Sequence, residues 1–170
     1  MAGRGIFLLM KPRVYIETTI PSFFHEIRTE PDMVARRQWT RQWWKAYRES
    51  YDPVTSIAVI DELEQGSHPK QKECLTLIKA IPILPVIKPI AEIIQTYIDH
   101  NLMPNDPKGD ALHLALASVH RCQFLLTWNC IHLANANKRE HIRHVNALLG
   151  LHVPMLTTPM ELVREQDGVQ

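Results

Sequence analysis

The sequence lacks several features that would announce a function. Its 19 basic and 18 acidic residues give a net charge of +1, so no strong overall field attracts nucleic acid and any basic patch must be local. The three cysteines, Cys74, Cys122 and Cys130, have no C-x-x-C spacing, which argues against structural zinc and for a reducing cytoplasm. No predicted strand is followed by D-x-D or a glycine-rich phosphate loop, which disfavours a phosphatase or related hydrolase.

Long apolar runs are also missing. The only apolar stretch near the N-terminus, Gly5 to Met10, is too short for a membrane span or a signal sequence. We therefore expect a soluble cytoplasmic protein with no membrane association. The 170 residues suit one domain. We expect residues 1–12 to be an N-terminal extension with a natural start at Met10, residues 13–163 to be the domain, and residues 164–170 to be a tail.

Strand patterns alternate with helix patterns along the chain. The predicted strands are 13–18, 53–56, 83–87, 124–128 and 153–157; the predicted helices are 21–24, 32–50, 57–65, 69–80, 90–101, a helix from 106 onwards, 136–149 and 159–163. This alternation predicts an α/β fold with a parallel sheet and right-handed crossovers.

The stretch from Asp110 to Asn135 is the most informative part of the chain. Asp106 and Pro107 predict a helix start, which places Asp110 one turn inside a helix that is apolar on nearly every side. Such a helix is buried, so a carboxylate near its start is costly. The helix dipole favours an ionised Asp110, and a bound cation would favour it more.

Polar residues also occur where predicted strands end. Glu17 ends the first strand and Asn129 follows the fourth, and ligands of open α/β sheets bind outside the carboxyl ends of strands. The alternatives are an exposed strand end for Glu17 and a turn residue for Asn129. In the helix 57–65, Asp61 and Glu62 both lie at the border of the buried face, and periodicity does not choose between them.

Three motifs, in order, resemble a known family. They are V-Y-I-E-T-T-I-P-S-F from Val14, D-E-L-x-x-G from Asp61, and D-A-L-H-L-A-x-A from Asp110 followed by L-L-T-W-N-x-x-H-L-A-N. Together they resemble the PIN domain family, specifically its VapC-like branch of metal-dependent ribonucleases. The resemblance covers about Arg13 to Val163. Glu17 departs from the broad family, in which Asp is usual at this position.

The resemblance implies a fold and a set of site residues. The fold is a three-layer α/β/α sandwich with a central parallel sheet of about five strands in the order 3-2-1-4-5. The implied catalytic residues are Glu17, Glu62, Asp110 and Asn129, with Thr18, Thr127 and His113 as supporting groups. Glu17, Glu62 and Asp110 cannot share a cleft as free anions, and ligands with oxygen donors alone suit Mg²⁺ or Mn²⁺.

The implied function is that of a metal-dependent endoribonuclease, the toxin of a toxin-antitoxin pair. RNA is then the substrate and an antitoxin protein a partner, and we also expect a homodimer. A basic stripe of Arg37, Arg41 and Lys45 is a candidate RNA contact, although a solvated helix face is the simpler interpretation. The alternative function is a PIN-like RNA- or protein-binding module with weak or no nuclease activity.

Overall fold

Five parallel strands form one sheet at the centre of the protein. The computed structural model describes residues 10–103, 109–129 and 136–168. The strands are β1 (Arg13–Ile16), β2 (Asp52–Ser56), β3 (Ile83–Leu84), β4 (Phe124–Leu126) and β5 (Met155–Thr157). Their order is β3-β2-β1-β4-β5, and every pairing is parallel. The predicted strand order is confirmed.

Helices connect the strands. They are α1 (Thr19–Phe24), α2 (Pro31–Gln42), α3 (Ile57–Gln65), α4 (Gln71–Lys79), α5 (Ile90–Asp99), α6 (Asp110–Val119), α7 (Ala136–Leu149) and α8 (Pro159–Asp167). Two groups of helices pack together, α1 to α4 with α8, and α5 to α7. With the sheet between them they form the predicted three-layer α/β/α sandwich.

The order in which strands are added to the sheet reverses between β1 and β4. From β1 the chain proceeds outward to β2 and β3, and from β4 it proceeds the other way to β5. Right-handed crossovers then place the two groups of helices on opposite faces. The carboxyl ends of β1 and β4 therefore border a crevice, which is where open α/β sheets bind ligands.

The central strands are buried because both of their faces are covered. Val14, Tyr15 and Ile16 of β1 and Leu125 and Leu126 of β4 are fully buried. Helix α6 is buried as predicted, and its residues Ala111, Leu114, Ala115, Leu116 and Ala117 are inaccessible to solvent. Among the described residues, no helix is both long enough and apolar enough to cross a membrane.

The predicted helix 32–50 is interrupted. Helix α2 ends at Gln42, a π-helical turn follows over Trp43–Tyr47, and a short 3₁₀ turn spans Arg48–Ser50. A π turn adds a residue to the helical turn and rotates the side chains that follow. The neighbouring Trp43 and Trp44, at the start of this π turn, are both buried.

Several predicted boundaries were wrong by a few residues. Strand β3 ends before Pro85 and β5 begins after Pro154, since proline cannot donate to a strand ladder. The last helix continues past its predicted end to Asp167. Ile57, the first residue of α3, is 45% exposed, and the buried face of this helix begins at Ala58. Helix α6 begins at Asp110 after Gly109, and the predicted start at residues 106 and 107 lies outside the described residues, as do residues 1–9 of the predicted extension.

Candidate metal centre

The candidate site lies at the carboxyl ends of β1 and β4. Glu17 directly follows β1, and its backbone N–H still donates to the carbonyl of Leu126 in β4 at 3.2 Å. Thr127 and Asn129 follow β4. Glu62 reaches this edge of the sheet from α3, and Asp110 and His113 reach it from the first turn of α6. The fold therefore brings together residues that are far apart in the sequence.

Glu17 is held by one of its two carboxylate oxygens. Oε2 accepts hydrogen bonds from the backbone N–H of Thr19 at 3.0 Å, from the Thr19 hydroxyl at 2.5 Å and from the Thr127 hydroxyl at 2.9 Å. Within the described part of the chain, no group donates to Oε1. The side chain is fixed, and one oxygen is left for another partner.

Burial makes the charge of Glu17 costly. The residue is only 4% exposed, and this burial raises the pKa of its carboxyl above the ordinary value. The charge of His113 and the hydrogen bonds from Thr19 and Thr127 oppose the rise but do not cancel it. A cation bound nearby would offset the remaining cost of the anion.

Glu62 has protein partners on both carboxylate oxygens. Oε1 lies 2.8 Å from Nε2 of His113, and Oε2 accepts a hydrogen bond from the Thr18 hydroxyl at 2.5 Å. Burial alone would raise the pKa of Glu62. The hydrogen bond and charge of His113, together with the Thr18 hydroxyl, outweigh burial, and the pKa lies below its ordinary value.

Glu62 is also the accessible member of the site. Its side chain is 33% exposed and borders a cleft of about 210 Å³ between α3 and α6, whose other lining residues are Ala58, Asp61, Gln65 and Leu112. Asp61 is exposed and makes no hydrogen bond to the site in the described residues. A small ion or a water molecule therefore has a route to the Glu62 carboxylate.

His113 links the acidic cluster to the sheet. It is 1% exposed, and its Nδ1 lies 2.8 Å from the Tyr15 hydroxyl, which lies 2.7 Å from the Ser56 hydroxyl. Burial alone would lower the pKa of His113, but the hydrogen bond to Glu62 and the neighbouring carboxylates outweigh it, and the pKa is raised. A protonated His113 donates to Glu62 and to Tyr15, and the Tyr15 hydroxyl then donates to Ser56.

Asp110 and Asn129 form a second pair at the same edge. The side-chain amide of Asn129 donates to both carboxylate oxygens of Asp110, at 3.1 Å each. The backbone N–H of Asn129 donates to the Thr127 hydroxyl at 2.9 Å, and Thr127 in turn contacts Glu17. The charge of Asp110 contributes to the raised pKa of His113. This pair is therefore connected to the acidic cluster by hydrogen bonds and by charge.

Glu17, Glu62 and His113 are arranged closely enough to hold one metal ion. One potential ligand atom from each of them lies within 4.8 Å of the other two. Asp110 does not join this close group in the described residues, although it lies one helical turn from His113 on the same face of α6. Two carboxylates and an imidazole are suitable donors for a divalent cation, and Oε1 of Glu17, which accepts no hydrogen bond from the described residues, is a suitable ligand atom.

The structure places the predicted site residues at one edge of the sheet. Glu17 and Glu62 come together, Asp110 contacts Asn129, and Thr18, Thr127 and His113 each contact a site carboxylate. Sequence reasoning missed Tyr15, Thr19 and Ser56. A tyrosine inside an otherwise apolar strand is a usable signal, because a buried hydroxyl needs a hydrogen-bond partner.

The basic stripe of Arg37, Arg41 and Lys45 contacts the protein itself. Arg37 donates to the carbonyl of Glu26 at 3.1 Å, and Arg41 donates to the carbonyl of Phe24 at 2.8 Å. Lys45 lies 6.0 Å from the centre of the Phe24 ring. These cations attach α2 and the turn that follows it to the C-terminal end of α1 and to the loop after α1.

Comparisons with protein-family models, with curated proteins and with solved structures gave no match.

Proposed function

We propose that this chain is a metal-dependent endoribonuclease of the PIN type, VapC-like, which cleaves RNA by hydrolysing phosphodiester bonds. One observation carries the proposal: Glu17 and Glu62, with Asp110 and Asn129 beside them, meet at the reversal point of a parallel sheet. The sequence motifs that resemble the PIN family contain these same four residues. The strand order that the resemblance implies is also the order of this sheet.

Mg²⁺ or Mn²⁺ is the proposed cofactor. Glu17 would hold it through Oε1, Glu62 through its accessible carboxylate, and Asp110 from the first turn of α6. The ion would supply positive charge to stabilise the developing negative charge on the phosphoryl group and would activate a water for in-line attack. Asn129 holds the Asp110 carboxylate in place, and Thr19 and Thr127 hold that of Glu17.

His113 orients Glu62 in this proposal. Its Nε2 already contacts Glu62, and its Nδ1 contacts Tyr15, so His113 would hold in place a carboxylate that ligates the ion. The ligands are then oxygen atoms, which favours Mg²⁺ or Mn²⁺. Direct ligation by His113 would require its bond to Glu62 to break and would move the preference towards zinc or another transition metal. The order of metal preference therefore distinguishes the two roles.

Cleavage of structured RNA tests the enzyme proposal. We expect cleavage that requires Mn²⁺ or Mg²⁺, stops on chelation and is abolished by Asp110→Asn, which removes an anion without changing the shape of the side chain. Asp61→Asn is the matched control, because Asp61 is an exposed carboxylate beside Glu62. Cleavage by Asp110→Asn at the parent rate would remove Asp110 from the catalytic residues.

A binding module that does not cleave is the second candidate. Both oxygens of Glu62 already have protein partners, which favours a site that is complete without an ion. Such a module would bind RNA equally well with metal and with chelator, and would leave it intact. Tight RNA binding without cleavage in Mn²⁺ would support this candidate over the nuclease.

The biological role that we propose is that of a cytoplasmic toxin paired with an antitoxin protein, acting as a homodimer. The free, buried thiols of Cys74 and Cys122 fit a reducing compartment. Expression of the wild-type chain should arrest bacterial growth, and expression of Asp110→Asn at the same level should not. Equal growth of the two cultures, with RNA cleavage confirmed in vitro, would separate the enzyme from the toxin role.

A further inference from the structure

Arg36 of α2 lies over two aromatic rings beside the candidate metal centre. Its guanidinium carbon is 5.4 Å from the centre of the Phe23 ring and 5.6 Å from that of Trp128. We propose that Arg36 binds a backbone phosphate of the RNA, next to the phosphate that is cleaved, and so positions the strand at the metal centre. This inference rests on the proposed function and adds to it a residue that contacts the substrate.

One of these rings belongs to a residue at the carboxyl end of β4, where the candidate metal centre lies. Trp128 lies between Thr127, which contacts Glu17, and Asn129, which contacts Asp110. Its backbone N–H donates to the Thr19 hydroxyl at 2.8 Å, and that hydroxyl donates to Glu17. The guanidinium thus contacts a residue whose two sequence neighbours both bind site carboxylates.

The surface beneath Arg36 is rigid. The indole N–H of Trp128 donates to the hydroxyl of Thr40 at 2.8 Å, and both residues are buried. Phe23 packs against Trp128 with 6.0 Å between ring centres. A cation over such rings is attracted by their π electrons, which holds it in place without using its N–H donors. Arg36 is therefore ordered while its hydrogen-bonding capacity remains available.

Arg36 differs in this respect from the predicted RNA contacts. The guanidinium groups of Arg37 and Arg41 donate to carbonyls of the protein. For Arg36, no residue in the described ranges 10–103, 109–129 and 136–168 accepts a hydrogen bond from the guanidinium or forms an ion pair with it. A planar, permanently charged group with free N–H donors is suited to phosphate, which it can bind through two parallel hydrogen bonds.

Binding of a non-cleavable 2′-O-methyl oligoribonucleotide tests the inference. The full-length protein is titrated in Mn²⁺ at several salt concentrations, and the slope of log K against log salt is measured. We expect Arg36→Gln to weaken binding about tenfold, as expected for loss of a hydrogen bond to a charged group, and to reduce the slope by about 0.7, the value for one phosphate contact with a single strand. Arg36→Lys keeps the charge and should restore the slope.

Arg48→Gln is the matched control. Arg48 also lies over a ring, 5.1 Å from the centre of Trp44, but it precedes β2 at the opposite, amino edge of the sheet. Its substitution should leave the affinity and the slope unchanged. With cleavable RNA, Arg36→Gln should raise KM and change kcat little, because the contact is made equally in the ground and transition states. A purely structural role would not change the salt slope.

The outcomes separate this inference from the proposed function. If the wild type binds and cleaves RNA while Arg36→Gln keeps the wild-type slope and KM, the Arg36 inference is overturned and the nuclease proposal stands. If Arg36→Gln and Arg48→Gln lose affinity equally, the loss is not local and the inference is likewise overturned. A wild type that neither binds nor cleaves RNA overturns both.

Discussion

Replacing Glu17 by glutamine tests two effects of its carboxylate separately: the destabilisation of the folded protein by a buried charge, and the binding of a metal ion. In the metal-free protein Glu17→Gln removes a buried anion, while Thr19 and Thr127 still find an oxygen to which they can donate. The raised pKa of Glu17 means that the carboxylate is less favourable in the folded state than in water. We therefore expect the metal-free variant to melt at the wild-type temperature or above it.

Mn²⁺ should stabilise the wild type and not the variant. A ligand at about a hundredfold excess over its Kd stabilises the native state by about 2.7 kcal/mol. For a chain of 170 residues this corresponds to a rise in Tm of about 5–11 °C. In Glu17→Gln the ion loses an anionic ligand, and most of this rise should disappear.

Thermal unfolding followed by circular dichroism, with and without Mn²⁺, provides the measurement, and Asp61→Asn serves as the control. Asp61 is exposed, so this variant should keep the full Mn²⁺ shift. An undiminished Mn²⁺ shift in Glu17→Gln would refute the assignment of Glu17 as a ligand. A metal-free variant several degrees less stable than the wild type would refute the argument that the buried charge is unfavourable.

Two further predictions concern stability. Arg28 binds both oxygens of Glu26, at 3.0 and 2.6 Å, and lowers the pKa of Glu26 from 4.5 to about 2; since Arg28 is largely exposed, Glu26→Gln should cost about 1–2 kcal/mol at pH 7. Because the folded pKa of Glu26 is depressed, this cost should be present above pH 4.5 and fade towards pH 2. Urea unfolding at pH 7 and pH 3 measures it, and an equal difference in unfolding free energy between wild type and Glu26→Gln at both pH values would contradict the prediction. Tyr15→Phe leaves buried groups of His113 and Ser56 without their partner and should cost about 1–3 kcal/mol; unchanged urea unfolding would show that these groups find other partners.

The sheet could be predicted because its strands are short apolar runs between helices. A strand covered on both faces has few polar residues, so Glu17 after β1 and Asn129 after β4 stood out at the strand ends. The structure places both beside β1 and β4 at the reversal point of the sheet. Local pattern and parallel topology together determine this part of the site.

The choice between Asp61 and Glu62 could not be made from periodicity. Both residues lie at the border of the buried face of α3, and neighbouring positions on a helix differ by about 100°. The structure resolves the choice through partners in other elements, Thr18 after β1 and His113 in α6. Contacts between such distant residues leave no periodic signal in one sequence.

The basic stripe shows the same limit more clearly. Arg37, Arg41 and Lys45 form a stripe at intervals of four residues, the spacing that places side chains on one helix face. In the structure, Arg41 donates to the backbone carbonyl of Phe24 and Arg37 to that of Glu26. The sequence does not show that these two carbonyls need hydrogen-bond donors. Arg36 lies outside the stripe, and its contact with Trp128 depends on a strand that follows it by more than eighty residues.

The role of His113 depends on which negative charge the ion is needed to balance. Without metal, the positive charge favoured on His113 already compensates Glu62, its partner at 2.8 Å, whereas no cation in the described part of the chain donates a hydrogen bond to Glu17. Glu17 is therefore the buried carboxylate whose cost an added cation would offset most directly. An ion bound through Oε1 of Glu17 would offset this cost without breaking the contact between Glu62 and His113, which favours His113 as the residue that holds Glu62 in place.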